Sequence, residues 1–544
     1  MRILFLSRHH GYFRNYESVL RELAARGHTL HLAAERDEEF GGRRLVETLA
    51  SECPGITFGA APARADDDWA WVAGRLRLGL DYLRYQHPIF RSAYQLRLRA
   101  RERTPGAFVA LGRVVGAVGW LRRLVIQGLR ALERAIPGDV EIGRYIDQQR
   151  AELLLLTPLI DLGSSQIDYL RAARGRGIPS ALCVWSWDHL SSKALIREQP
   201  DRVFVWNDIQ RREAVELHGV DPNRVIVTGA QCFDQWFNRS PSRDRETFCR
   251  DAGLDASRRV ILYVCSALFA GSPSEAEFVV EWLRRLRASA LPEVRDAQVL
   301  VRPHPSRTAE WDGVDVTSLD AVIWGSNPVD VQARADYFDS LYYSDAVVGI
   351  NTSAFIEAGI VGRPVHAVVV PEFAANQGGT VHFQYLVDVA GGLVSVGHGL
   401  DDHIRQLHAS LVSRQAGPRP FIQAFLRPHG LDVAATPIFV EHVEAMQQLQ
   451  AADGSLRATP VWRWVVGQLA RTRTSQRLEG LTLSWRERES VEHTRDEQQR
   501  KALRRAEERA ASDPVRLEAL RERAMAFEQE RQRRAARRER THRI

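Results

Sequence analysis

Several short stretches of the chain hold residue types that can grip a phosphate, hold a sugar hydroxyl or move a proton. Asn351-Thr352-Ser353 follows an apolar run and opens a helical pattern. Small hydroxyl residues let an anion approach closely, and the first helical turn offers backbone N–H groups with no partner in the helix. Glu357 lies four residues beyond Ser353, on the same helix face, where a carboxylate can accept paired ribose or sugar hydroxyls. Arg302-Pro303-His304-Pro305 directly follows the run VLV; its prolines stiffen the loop, and Arg302 and His304 are set to meet an anion. His304 can hydrogen-bond a leaving group or protonate it.

The first half of the chain offers complementary chemistry. Arg8-His9-His10-Gly11-Tyr12 follows the first apolar run, and its two imidazoles can accept a proton from a hydroxyl. His10 is the first candidate base and His9 the second, with Gly11 beside the acceptor. In Trp185-Ser186-Trp187-Asp188-His189, Trp187 can pack on the C–H face of a sugar. Asp188 there can orient a hydroxyl or serve as an alternative base. Asn376-Gln377-Gly378-Gly379-Thr380 with His382 can line a sugar pocket. Each stretch also has a plain reading: a helix cap for 351–357, a rigid turn for 302–305, polar surface for 9–10 and core packing for the tryptophans. Asp66-Asp67-Asp68 reads as helix-start acids, and no catalytic metal is expected.

These residues sit where strands end. Apolar runs at 2–7, 29–33, 153–156, 180–184, 203–205 and 225–228 have the length of buried parallel strands, with helical patterns such as 16–26 between several of them. A second series at 260–265, 297–302, 321–323, 346–350 and 365–370 alternates with helical stretches at 274–288, 337–343 and 353–361, and 437–450 forms another helix. The pattern is α/β, with two Rossmann-like domains. The expected division is 1–240, a polar linker at 241–258, a second domain at 259–436, helices at 437–470 and a charged helical or disordered tail at 471–544. Ligands of open α/β sheets bind beyond the carboxyl ends of the strands, so the chemistry belongs in a cleft between the domains.

Length and composition bound the alternatives. The 544 residues suit two to four domains, and 44% hydrophobic with 26% charged residues suit sizeable buried cores. Five scattered cysteines with no CxxC pair exclude a disulfide framework and favour a cytoplasmic setting. No secretory signal is evident, and residues 106–121 are too short and too charged to span a bilayer. The net charge of +6 is unevenly placed. Residues 75–134 hold 13 arginines against three acids, and 491–544 hold 16 basic against 11 acidic groups, so the remainder is mildly acidic. That distribution argues against a nucleic-acid binder. The Leu-, Arg- and Trp-rich segment 66–136 breaks the α/β rhythm as a helical insertion, either a solvated face or a basic surface for anionic lipid on the inner face of the plasma membrane.

The order of strand, Ser344-Asp345, strand, small polar turn, then Glu357-Ala358, Gly362 and Pro364 resembles the donor-binding half of GT-B glycosyltransferases. It is similar also to the CDP-glycerol glycerophosphotransferases and the UDP-sugar 2-epimerases. The resemblance extends to Arg302–Pro305, to Leu23 and Arg26-Gly27-His28, and to Thr228-Gly229-Ala230 with Asp234 leading into a hinge. It implies a GT-B architecture over residues 1–450. The donor diphosphate would be held by Asn351, Thr352, Ser353, Arg302 and His304, bordered by Ser266, with a donor hydroxyl on Glu357. It also implies metal-independent transfer from a nucleotide-sugar to a saccharide or lipid-linked hydroxyl, in bacterial cell-surface polysaccharide or glycolipid synthesis, with no cofactor beyond the donor. A glycerophosphotransferase, a 2-epimerase and a non-catalytic scaffold are the alternatives. Tyr12 stands where such enzymes usually carry their catalytic histidine, which moves the base to a neighbour.

Overall fold

Thirteen strands form two wholly parallel sheets among the described residues. The computed structural model describes residues 1–490 other than 38–40, 117, 270, 414–416, 450–459 and 472–478, together with 492–493, 496–497, 518, 520, 524–529 and 531–532. In the first sheet β1 (Arg2–Ser7), β2 (Thr29–Ala34), β3 (Ile56–Ala60), β4 (Leu153–Thr157), β5 (Ser180–Cys183), β6 (Arg202–Val205) and β7 (Val225–Val227) run in the order β3-β2-β1-β4-β5-β6-β7. In the second, β8 (Val260–Val264), β9 (Gln298–Arg302), β10 (Ala321–Ile323), β11 (Ala346–Gly349), β12 (Val365–Val369) and β13 (Val394–His398) run β10-β9-β8-β11-β12-β13. Each sheet winds outward from its first strand and reverses between its first and fourth. The loops leaving β1 and β4, and those leaving β8 and β11, therefore diverge around a crevice. Ser7 lies opposite Thr157 and Val348 opposite Tyr263, so the paired strands end nearly level there.

The central strands β4, β8 and β9 are buried at every residue because helices cover both faces. The two strands absent from the sequence reading, β3 and β13, are sheet edges. Their exposed Thr57 and Ser395 interrupt the apolar run that marks a buried strand. The polar stretch read as a linker contains the helix Arg245–Ala252. Its Phe248, Cys249 and Ala252 are buried with Val260 and Leu262 of the second domain.

The chain crosses between the domains twice. After β7 it passes Gly229, whose φ of +87° suits glycine and where an added Cβ would stand 2.8 Å from the Cβ of Ala435. It returns through the segment before the helix Ala435–Ala445, pinned where Asp234 accepts hydrogen bonds from the Ala435 and Thr436 amides at 3.0 and 2.7 Å. Phe439, Val440, Val443 and Met446 then complete the first-domain core beside Phe5, Tyr16, Leu20 and Leu23.

The insertion is helical as expected, with helices Asp68–Arg84, Tyr94–Arg103, Gly106–Val115 and Gly119–Arg134. Asp67 caps the first, accepting from the Ala70 amide at 2.6 Å. The charge, however, is not simply a basic surface. Arg77 is buried and donates to Glu133 at 2.8 Å and to Asp168 at 2.9 Å, while Asp81 pairs with Arg197 at 3.0 Å. Burial alone would raise the Glu133 carboxyl, but Arg171, Arg77 and Arg197 outweigh it and hold it below the usual carboxylate range. The helix Pro460–Ala470 packs Val466 and Ala470 onto Val72, Ala73 and Leu76 of the insertion. No helix of the described residues is long and apolar enough to cross a membrane. The expected tail lies for the most part outside the described residues.

Candidate functional site

A cleft of about 760 Å³ opens between the carboxyl ends of the two sheets. Most of the residues singled out in the sequence line it, Asn376, Thr380 and His382 among them. Trp187 and Asp188 come from the loop after β5, Arg302 and His304 from the loop after β9, and Asn351, Thr352, Ser353 and Glu357 from the segment after β11. Ser266 lies just behind and is fully buried. Its hydroxyl accepts the Asn351 amide at 3.1 Å and its own amide donates to Glu275 at 2.8 Å, so it braces the loop rather than lining the cleft.

The second-domain wall is built for an anion and a polyol. The backbone N–H groups of Thr352 and Ser353 have no hydrogen-bond partner among the described residues, because the helix that follows, Ala354–Ile360, begins one residue later. His304 Nδ1 accepts from the Ser306 amide at 3.2 Å, so the neutral ring carries its proton on Nε2. Burial, with Arg307 nearby, lowers the His304 pKa and keeps the ring neutral. Arg302 lines the cleft, yet its guanidinium donates to Ser340 at 3.1 Å and to the Ser326 carbonyl at 3.0 Å. It holds the shape of the wall more than it offers free donors. The Glu357 carboxylate accepts from the Tyr337 hydroxyl; burial pushes its pKa up to about 7 against that bond and Arg14.

The first-domain wall differs from the sequence reading. His10 is only 6% exposed, with its ring set against Phe13 and Phe58, and neither it nor His9 nor Gly11 borders the cleft. The cause is local. The segment read as a loop after β1 coils at once into the 3-10 helix His10–Tyr16, which turns His10 inward. His9 packs against Tyr12, and Tyr12 against Trp185. Trp187, expected on an acceptor wall, reaches across and donates its indole N–H to the Ser353 hydroxyl at 3.2 Å. Asp188, of the three candidate bases, does line the cleft, held by the hydroxyls of Ser186 and Ser192. Burial would raise its pKa, but Lys193, His382 and the two hydroxyls overcome this and hold it well below the usual carboxylate range.

Sequence reasoning missed Arg14, Glu17, Arg99, Lys193, Arg334 and Tyr337, all of which line the cleft. They come from separate helices and loops, and only the folded sheet order brings them together. Glu17 and Arg334 face each other across the domains at 3.8 Å. His382, which the sequence noted, meets Trp187 edge-on, with centroids 4.8 Å apart. The lining residues include six lysines and arginines against three carboxylates, so the cleft favours an anionic ligand.

No family model matches the chain. A curated D-inositol 3-phosphate glycosyltransferase from Kineococcus radiotolerans is 30% identical over 226 residues, covering 37% of this chain and 46% of that protein. The chain thus spans about half the length of the curated relative it matches. Solved structures similar in outline include a glycosyltransferase from Rickettsia africae, at 10% identity and TM-score 0.46, covering 82% of this chain and 98% of that one. The UDP-GlcNAc 2-epimerase of Methanocaldococcus jannaschii gives 10%, 0.45, 82% and 99% in the same terms, and Anabaena HepE in complex with UDP gives 12%, 0.44, 82% and 100%. Two parallel Rossmann-like sheets opening onto one shared cleft, with the last helix of the pair returned to the first domain, give this chain the GT-B fold.

Proposed function

We propose that the chain is a glycosyltransferase that moves a sugar from a nucleotide-activated donor to a hydroxyl acceptor. The observation that carries this reading is the pair of unpartnered amides at Thr352 and Ser353. They lie at the reversal between β8 and β11, with the His304 ring on the same cleft wall. A diphosphate leaving group there meets two N–H donors and the Nε2–H of His304, and all three strengthen as charge develops on it. Glu357, once ionised, accepts donor hydroxyls. Asp188, ionised in a cleft otherwise rich in cations, receives the hydrogen bond of the acceptor hydroxyl as it attacks. The named activity of the curated relative supports the same class.

The acceptor is a saccharide or lipid-linked hydroxyl used in building a cell-surface polysaccharide or glycolipid, and the chain works from the cytoplasmic face of a membrane. Supporting this are Val114, Trp120 and Leu124 on the insertion and Val461 and Trp464 on the helix packed against it, all exposed beside Arg113, Arg123 and Arg463. Aromatic and aliphatic side chains among arginines suit the interface of an anionic bilayer.

The test is a panel of UDP, GDP, CDP and dTDP scored by thermal shift, since a ligand selective for the folded state raises its apparent stability. One diphosphate should stabilise the wild type and lose its effect on His304→Ala. Turnover that releases the nucleoside diphosphate supports sugar transfer. Release of CMP instead, or no response to any of the four, would refute it.

A further inference from the structure

The insertion does more than cover one side of the first domain. Its buried side chains take hold of the loop that follows Asp188. Arg84 donates to the carbonyls of Lys193 at 2.7 Å, Ala194 at 3.1 Å and Leu190, while the Tyr85 hydroxyl donates to the Lys193 carbonyl and Arg99 to that of Ser192. Asp81, fully buried, accepts the Leu195 amide at 2.9 Å. Residues 190–195 are thereby fixed by side chains from 81–99.

What this grip presents to the cleft is the Lys193 ammonium, which feels the Asp188 carboxylate but also the like charge of Arg99, Arg103 and Arg8. Lys193 is half-buried and lines the cleft, and its ammonium makes no hydrogen bond or ion pair among the described residues. Asp188, which accepts from Ser186 and Ser192, is the carboxylate that opposes this charge without forming an ion pair with it among the described residues. Arg99 lines the same end beside Leu96; its Nη2 is spent on Ser192, and its Nε is buried with no partner. Across from them stand Phe269 and Thr380 of the second domain, and the insertion's Leu96 belongs to an apolar cluster that reaches Phe269 and Val381. This end of the cleft is therefore bordered by the insertion. Several cations around a single carboxylate leave a positive surplus that suits a further anion.

We propose that Lys193 and Arg99 form a second anion subsite at the insertion end of the cleft, which holds the phosphate group of a hydroxyl-bearing acceptor. The assignment rests on the transferase reading for the word acceptor, but not for the anion. A phosphate seated on Lys193 places the rest of the molecule beside Asp188, where a hydroxyl can lose its proton. The insertion is then the element that selects the acceptor.

The experiment is calorimetric titration of the full chain with a hexose phosphate, with the unphosphorylated hexose and with short-chain dihexanoyl phosphatidic acid. Each titration is run in the presence of whichever nucleoside diphosphate binds, or in its absence if none does. At least one phosphorylated probe should bind at least about tenfold more tightly than the bare hexose, since each 1.4 kcal/mol is a factor of ten. Preference for the hexose phosphate marks a water-soluble acceptor; preference for the phosphatidic acid marks a lipid-borne one. Lys193→Met should remove the phosphate preference and Lys193→Arg should retain it. Equal binding of phosphorylated and bare probes would overturn the subsite, and so would a phosphate preference that survives Lys193→Met. Failure of every nucleotide to bind would refute the transferase reading while leaving this titration readable.

Discussion

Glu357 shows how a single buried carboxyl sets a working range. Its pKa is raised to about 7, so the folded protein holds a proton there that an unfolded chain has already lost above the ordinary carboxylate range. Folding stability from this group therefore falls as pH rises toward 7, while the ionised form, to which the proposed function assigns the donor hydroxyls, becomes populated. Nucleotide-sugar affinity measured by calorimetry should accordingly rise between about pH 6 and about pH 8. Glu357→Gln should flatten that profile and weaken binding about 10- to 100-fold, the scale of a hydrogen bond to a charged group. Glu357 was legible in the sequence because its helix, its loop and its strand are contiguous, as were Asn351–Ser353 and His304. Lys193 and Tyr337 carry no such local signal, since their role depends on which distant segments lie opposite. His10 misled for the converse reason: residue type and position after β1 were right for a base, but one turn of 3-10 helix aims it into Phe13 and Phe58.

Among the elements, the central strands announced themselves through unbroken apolar runs, and β3 and β13 did not, because an edge strand alternates with solvent. The insertion was legible as helical from composition. Its charge was not, because sequence separation hides that Glu133, Asp168 and Asp81 meet Arg77, Arg171 and Arg197. Removing one partner from such a buried network leaves an uncompensated charge. Arg77→Met should cost about 3–5 kcal/mol, read as a clear drop in denaturation midpoint. The exposed face makes a different forecast. Replacing Trp120 and Trp464 by serine should lower co-sedimentation with anionic vesicles at low salt and leave the midpoint nearly unchanged. Vesicle binding unaffected by the double change would remove the support for membrane contact.

For the molecule as a whole, the relation of the two domains is the variable that matters. Their contact includes a titrating bond: the Tyr385 hydroxyl of the second domain donates at 2.6 Å to Glu213 of the first. Burial pushes the Glu213 pKa up to about 7; Tyr385, Arg84 and Ser191 act to lower it, and Asp188 to raise it. Opening the cleft would hydrate this carboxyl and return it toward its ordinary value. The closed arrangement thus binds the extra proton and gains relative to the open one as pH falls through about 7. Small-angle scattering should show a smaller radius of gyration below that pH than above it, and Glu213→Gln should abolish the difference.

The return of the helix Ala435–Ala445 to the first domain bears on how the protein comes into being. Phe439, Val440, Val443 and Met446 fill space beside β1, yet on a ribosome they emerge only after the entire second sheet. The amino-terminal half must therefore wait, with part of its interior unfilled, while a whole domain is synthesised. A fragment ending before residue 435 should be insoluble or dependent on chaperones. Supplying the missing helix as a separate peptide should rescue it.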